Sequence, residues 1–121
     1  MRLIKIHEDK RGYTYSIEDE HLGQPELTLF FTRQGFARGG CIHNKSDEHF
    51  CVVSGIVNLF LGKRKIEMED GDCILIPKAT PHYFVSQTLS VVLEWGATPE
   101  EKIEKHEEYR KIVDRINDKS N

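Results

Sequence analysis

The chain has 121 residues, 38% apolar and 31% charged, which gives one compact domain with a modest core and no room for a second. Its 17 basic and 20 acidic residues leave a formal charge of −3, with the basic side chains scattered among acids, which excludes the footprint of a nucleic-acid or anionic-membrane binder. The opening Met1-Arg2-Leu3-Ile4-Lys5 lacks a signal-peptide core, and the apolar runs fall short of the ~18 residues a bilayer requires. Cys41, Cys51 and Cys73 are odd in number and have no CxxC spacing, so a cytoplasmic protein without a disulfide framework is expected.

Taken in chain order, Asp9-Lys10-Arg11-Gly12 reads as a turn before the β-prone Tyr13-Thr14-Tyr15-Ser16-Ile17. Leu27 to Thr32 is an apolar, aromatic strand, and the glycines between Arg33 and Gly40 mark a turn or a close backbone approach. Further strands are predicted at Cys41–Asn44, His49–Val53, Ile56–Leu61, Lys65–Met68, Cys73–Ile76, Tyr83–Ser86 and Leu89–Trp95. Gly55, Gly62, Gly71 and the Pro77–Pro81 segment punctuate them. Many short strands at this spacing predict an antiparallel sandwich or barrel, with a jelly roll among the choices. Thr98-Pro99-Glu100-Glu101 then combines an N-cap, a proline at the first helical position and a glutamate two positions later. Ile103, His106, Tyr109, Ile112, Val113 and Ile116 recur at helical spacing, which predicts an amphipathic helix from Pro99 to about Asn117. The expected division is a barrel over residues 1–97 and a helical segment over 98–121, packed on the barrel or on a dimer partner.

The chemistry-bearing residues concentrate between Gly39 and Gly55 and between Gly71 and His82. Alternation along a strand puts Cys41 and His43 on one side, and gives Glu48 the parity of Phe50 and Val52. His49 falls on the other face with Cys51 and Val53. Cys51 and Cys73, in strand interiors, are expected in the core; His49 at solvent or an interface; His7, His21 and His106 at the surface. Cys41 reads either as a small buried apolar residue or as a ligand. His43 and His82 read either as ligands or as hydrogen-bonded histidines lining a pocket.

Both stretches resemble the signatures of the cupin superfamily. In the first, two histidines separated by one residue precede a glutamate and then a glycine; His43, Glu48 and Gly55 match that spacing, and Cys41 stands where the first histidine is usual. In the second, Gly71, Pro77 and His82 are in register, and Ala79 replaces a usual glycine. The resemblance implies an all-β, cupin-type jelly-roll barrel with a C-terminal α-helix. In metal-binding cupins the corresponding residues hold a divalent ion, which carries over to His43, Glu48 and His82, with Cys41 as a fourth candidate. Imidazole and carboxylate donors suit zinc, iron, manganese or nickel, and a thiolate favours zinc or iron.

A narrower resemblance is to cupins that isomerise or epimerise nucleotide-linked keto-sugars, carried by Asp9, Arg11, Gly12, Arg38, Gly39, His43 and Lys45. It implies Arg11, Arg38 and Lys45 as contacts for a phosphate or pyrophosphate, or, without such a role, as solvated turn residues. It also implies His43 as a base, with Tyr83, His82 or a metal capping an enolate. The leading expectation is metal-assisted chemistry on a small polar substrate such as a carbohydrate or nucleotide-sugar. The competing readings are a metal-free keto-sugar isomerase with His43 as base, a non-catalytic sensor or binding module, and a metal-dependent dioxygenase. A small barrel with open sheet edges is further expected to form a homodimer.

Overall fold

Short runs of alternating apolar and polar residues need two facing sheets to bury one side of each strand, and two sheets are what form. The computed structural model of the chain describes residues 1–19, 27–97 and 104–120. Ten strands are defined: β1 (Arg2–Asp9), β2 (Gly12–Glu18), β3 (Leu27–Thr32), β4 (Ala37–Cys41), β5 (Glu48–Ser54), β6 (Val57–Leu61), β7 (Arg64–Met68), β8 (Cys73–Ile76), β9 (His82–Ser86) and β10 (Ser90–Trp95). They pair antiparallel as a six-stranded sheet in the order β1-β2-β3-β10-β5-β8 and a four-stranded sheet in the order β4-β9-β6-β7. This is the all-β, jelly-roll architecture expected from the pattern.

Between the sheets lies an apolar core of Phe50, Val52, Val57, Leu59, Leu61, Met68, Ile76, Phe84 and Val92. Every one is an inward position of its strand, as the period of two requires. A second cluster joins the outer face of the four-stranded sheet to the helix α1 (Glu107–Lys119): Ala37 and Tyr83 meet Val113, with Phe60, Val85, Tyr109, Ile112 and Ile116 around them. The helical segment therefore packs on its own barrel.

Two boundaries differ from expectation. The helix begins at Glu107, and the Thr98–Glu101 capping signal lies outside the described residues. Residues 104–106 are extended because β4 and its continuation compete for their backbone: Ile42 N–H donates to the Glu104 carbonyl and His106 N–H to the Gly40 carbonyl. His106 then serves as N-cap, its ring nitrogen accepting from Tyr109 N–H, with Glu107 and Glu108 complementing the helix dipole. The strand expected at Cys41–Asn44 instead ends at Cys41, leaving His43 on a loop. Gly40 explains how the helix comes so close: a Cβ there would lie 2.8 Å from the Cα of Arg110. At the far end of the helix, buried Asn117 accepts from Ala37 N–H and donates to the Ala37 carbonyl, completing the edge of β4.

Candidate metal centre and its pocket

Three elements converge at one end of the barrel interior. Glu48 is the first residue of β5, His82 the first of β9, and His43 sits on the loop between β4 and β5. Two backbone ties fix that loop against the approach to β9: Ala79 N–H donates to the His43 carbonyl at 2.6 Å, and Lys78 N–H to Asp47 Oδ1 at 2.8 Å. Ala79 occupies the left-handed region (φ 61°), which explains why a glycine is usual there.

The three side chains are almost sealed from solvent, with His43 and His82 4% exposed and Glu48 1%. Glu48 Oε1 lies 3.4 Å from His43 Nε2 and 3.6 Å from His82 Nε2. His82 Nδ1 contacts the Thr80 carbonyl at 3.1 Å. A carbonyl only accepts, so Nδ1 carries a proton and Nε2, turned toward Glu48, is the nitrogen left for a metal. One donor atom from each residue lies within 4.8 Å of the others. An ion bound at about 2.1 Å sets neighbouring ligand atoms about 3.0–3.5 Å apart, close to the 3.4 and 3.6 Å between Glu48 Oε1 and the two imidazoles. The residues fit the group the fold implies.

The donors open onto a cavity of about 220 Å³ that is also lined by Arg11, Arg38, Arg110, Glu94, Phe30 and Phe84. Arg38 is the buried cation here, 4% exposed. It donates to Thr32 Oγ1 at 2.8 Å, to Thr14 Oγ1 at 3.3 Å and to the Phe31 carbonyl at 3.3 Å, and lies over the Phe30 ring. Burial, with the charge of Arg11 nearby, brings its pKa down to about 10. It stays protonated at neutral pH. Arg11 is locked by Asp9, which it grips through Nε and Nη2 at 2.7–3.2 Å. Burial works to raise the Asp9 pKa, yet hydrogen bonds from Arg11 and His7 hold it well below the usual carboxylate range.

Not every expected site residue arrives. Cys41 lines the cavity but stands outside the three-donor group. Lys45 is exposed on the loop and does not line the cavity, so it is not brought to Arg11 and Arg38. Tyr83 follows His82 along β9 and so faces the other way: its ring stacks on Phe60 and meets Tyr109 edge-on beneath α1, and burial followed by Tyr109 raises its pKa. Cys51 and Cys73 belong to the outer face, half-buried and exposed, rather than to the core. Glu94 went unnoticed in the sequence although it shares the parity of buried Val92 and Ser90, and a charge at an inward position was the available signal. Arg110 reaches the cavity from α1, donating to the Gly39 carbonyl at 2.8 Å, a contact with no local signature.

Residues 39–95 match the family model described as a cupin domain. The barrel is a cupin. The search of curated proteins found no match. Among solved structures, similar folds include the capsular polysaccharide assembling protein CapF of Staphylococcus aureus, at 19% identity and TM-score 0.67 over 84% of this chain. This cupin spans only 31% of that protein's length. KdgF from Halomonas sp. shares 17% identity at TM-score 0.66, with 80% of this chain and 86% of that one covered. An RmlC-like cupin from Shewanella frigidimarina shares 14% identity at TM-score 0.65, with 82% and 86% covered. At such identities the likeness is one of fold.

Proposed function

We propose that this cupin binds a divalent metal ion through His43, Glu48 and His82 and holds a small anionic, oxygen-rich substrate beside it, with Arg38 supplying the counter-charge. The observation that carries the reading is that a buried His/Glu/His donor set and a buried arginine open onto one cavity. Burying four titratable side chains costs free energy that packing does not return, which favours a role in binding. The cavity of about 220 Å³ sets the scale of the ligand. It lies below the roughly 300–1,000 Å³ of pockets for drug-sized molecules, so a sugar ring or small acid fits and a nucleotide would remain outside. A carbohydrate substrate also accords with the name of the similar CapF, which refers to capsular polysaccharide assembly.

A divalent ion held there would supply Lewis acidity at a carbonyl or hydroxyl oxygen, which assists isomerisation next to a carbonyl. The chain's own groups do the rest. Arg38 orients a carboxylate or phosphate by charge-assisted hydrogen bonds. Phe30 and Phe84 form dry walls that strengthen those contacts. Glu94 is the lining carboxylate outside the donor set, and in this reading it moves the proton.

Elemental analysis of the purified protein beside His43→Ala and Glu48→Ala, with calorimetry against sugar phosphates and sugar acids, tests this. Near-stoichiometric metal is expected in the parent and less than about a tenth of it in either variant. Arg38→Met is expected to keep the metal while weakening an anionic ligand by about 30-fold or more. A parent that stays metal-free after reconstitution overturns the proposal and leaves a metal-free isomerase with His43 as base, or a binding module. We also propose that the chain pairs with itself through β1, an edge strand whose Leu3 and Ile6 are 56% and 52% exposed. Light scattering of the parent and of Ile6→Lys reads this: a dimer split by the lysine is expected, and a monomeric parent contradicts it.

A further inference from the structure

On the face of the six-stranded sheet turned away from the metal centre, two cysteines stand opposite each other. Cys51 of β5 is paired in register with Cys73 of β8, the strand at the sheet edge. The neighbouring hydrogen bonds identify the kind of pair. Val52 N–H donates to the Asp72 carbonyl and the Val52 carbonyl accepts from Gly71 N–H, both at 2.8 Å. Because hydrogen-bonded and non-hydrogen-bonded pairs alternate along an antiparallel ladder, Cys51 and Cys73 form a non-hydrogen-bonded pair. Such pairs bring Cα atoms to about 4.5 Å, at the short end of the about 4.4–6.8 Å that a disulfide spans. Both thiols are free, and the Cys73 thiol donates to the Gly71 carbonyl at 3.9 Å.

We propose that Cys51 and Cys73 form a reversible cross-strand disulfide, closed by a small-molecule disulfide such as oxidised glutathione and reopened by its thiol. Cys73 is exposed and Cys51 half-buried, so Cys73 is the point of entry. Its thiolate attacks one sulfur of the oxidant, breaking that S–S bond and expelling one small thiol. The Cys51 thiolate then attacks the Cys73 sulfur of the mixed disulfide and expels the second. Two protein thiols and one small disulfide become one protein disulfide and two small thiols, so the oxidant takes up both electrons. Burial, with the neighbouring Cys73 thiol, pushes the Cys51 thiol up to about 11, which makes the closing step the slower one. A bond closed at the short limit of Cα separation is easily reduced, the property of a labile rather than a structural disulfide. Its position is consequential: it would clamp the strand that begins at Glu48 to the strand that leads, through residues 77–81, to His82.

The test incubates the metal-free protein in glutathione buffers from fully reduced to fully oxidised, counting thiols and mapping peptides by mass spectrometry without reductant. The expected result is a fall from three thiols to one and a Cys51–Cys73 linked peptide. Half-conversion should come only in a buffer where oxidised glutathione predominates, with full reversal on adding reduced glutathione. Cys73→Ser is expected to block all loss of thiol at Cys51, whereas Cys41→Ser leaves the linkage intact. Recovery of only a mixed disulfide at Cys73, of a Cys73–Cys73 link between two chains, or of three unreacted thiols in fully oxidised buffer overturns the proposal.

Discussion

The two ends of the barrel interior are built from the same inward rows yet obey opposite rules. Along β5 the buried positions run Glu48, Phe50, Val52, and along β9 His82 is followed by Phe84. One step along each strand replaces a buried titratable group with an aromatic ring of the core. At the apolar end, each side chain is stabilised by leaving water and by contact with its neighbours. At the polar end, burial of a carboxylate beside two imidazoles works against stability. The difference separates what holds the barrel together from what the proposed function uses.

The comparison is sharpened most strongly at Phe50, which is fully buried and meets Phe84 edge-on with ring centres 5.4 Å apart. Phe50→Ala should cost about 3–5 kcal/mol, read by denaturant unfolding. A loss below about 1 kcal/mol would erase the distinction between the two ends. A smaller effect of opposite sign is expected in the segment before β9 that is tied to the His43 loop. Ala79→Gly relieves a left-handed alanine and should add about 1 kcal/mol, or about 3–5 °C in Tm, without altering metal content. The smallest effect belongs to the rim, where Asp9 braces Arg11. The folded-state pKa of Asp9 lies below its unfolded value, so its contribution is present above about pH 4 and fades as pH falls through the folded value. Asp9→Asn should therefore lower Tm by at most about 2–4 °C at neutral pH, and the gap to the parent should close in acid.

Much of this division was legible in the sequence because it follows a period of two. Parity alone placed Glu48 with Phe50 and Val52 and turned His49 outward, where its ring stacks on Trp95. The family spacing of His43, Glu48 and His82 survived into a buried cluster. What failed depended on contacts distant in sequence or on resemblance applied without strand parity. Residues 104–106 are extended because the backbone of Gly40 and Ile42 claims them, which no local propensity reports. Tyr83 is an enolate-capping candidate only through the keto-sugar cupin resemblance, and as the residue after His82 on β9 it faces the opposite way. Lys45 entered through a motif whose loop turns it outward. Arg38 reads from the sequence as a phosphate contact or a solvated turn residue, and its burial depends on Thr14 and Thr32 from two other strands.

The central claim, that the polar end is kept for binding and not for stability, is tested most directly by thermal melts of the parent and Glu48→Gln, each with and without added divalent metal. The account predicts that metal raises the Tm of the parent alone, and that the metal-free variant melts at or above the metal-free parent. A variant markedly less stable without metal, or a parent indifferent to every divalent ion tried, would contradict it.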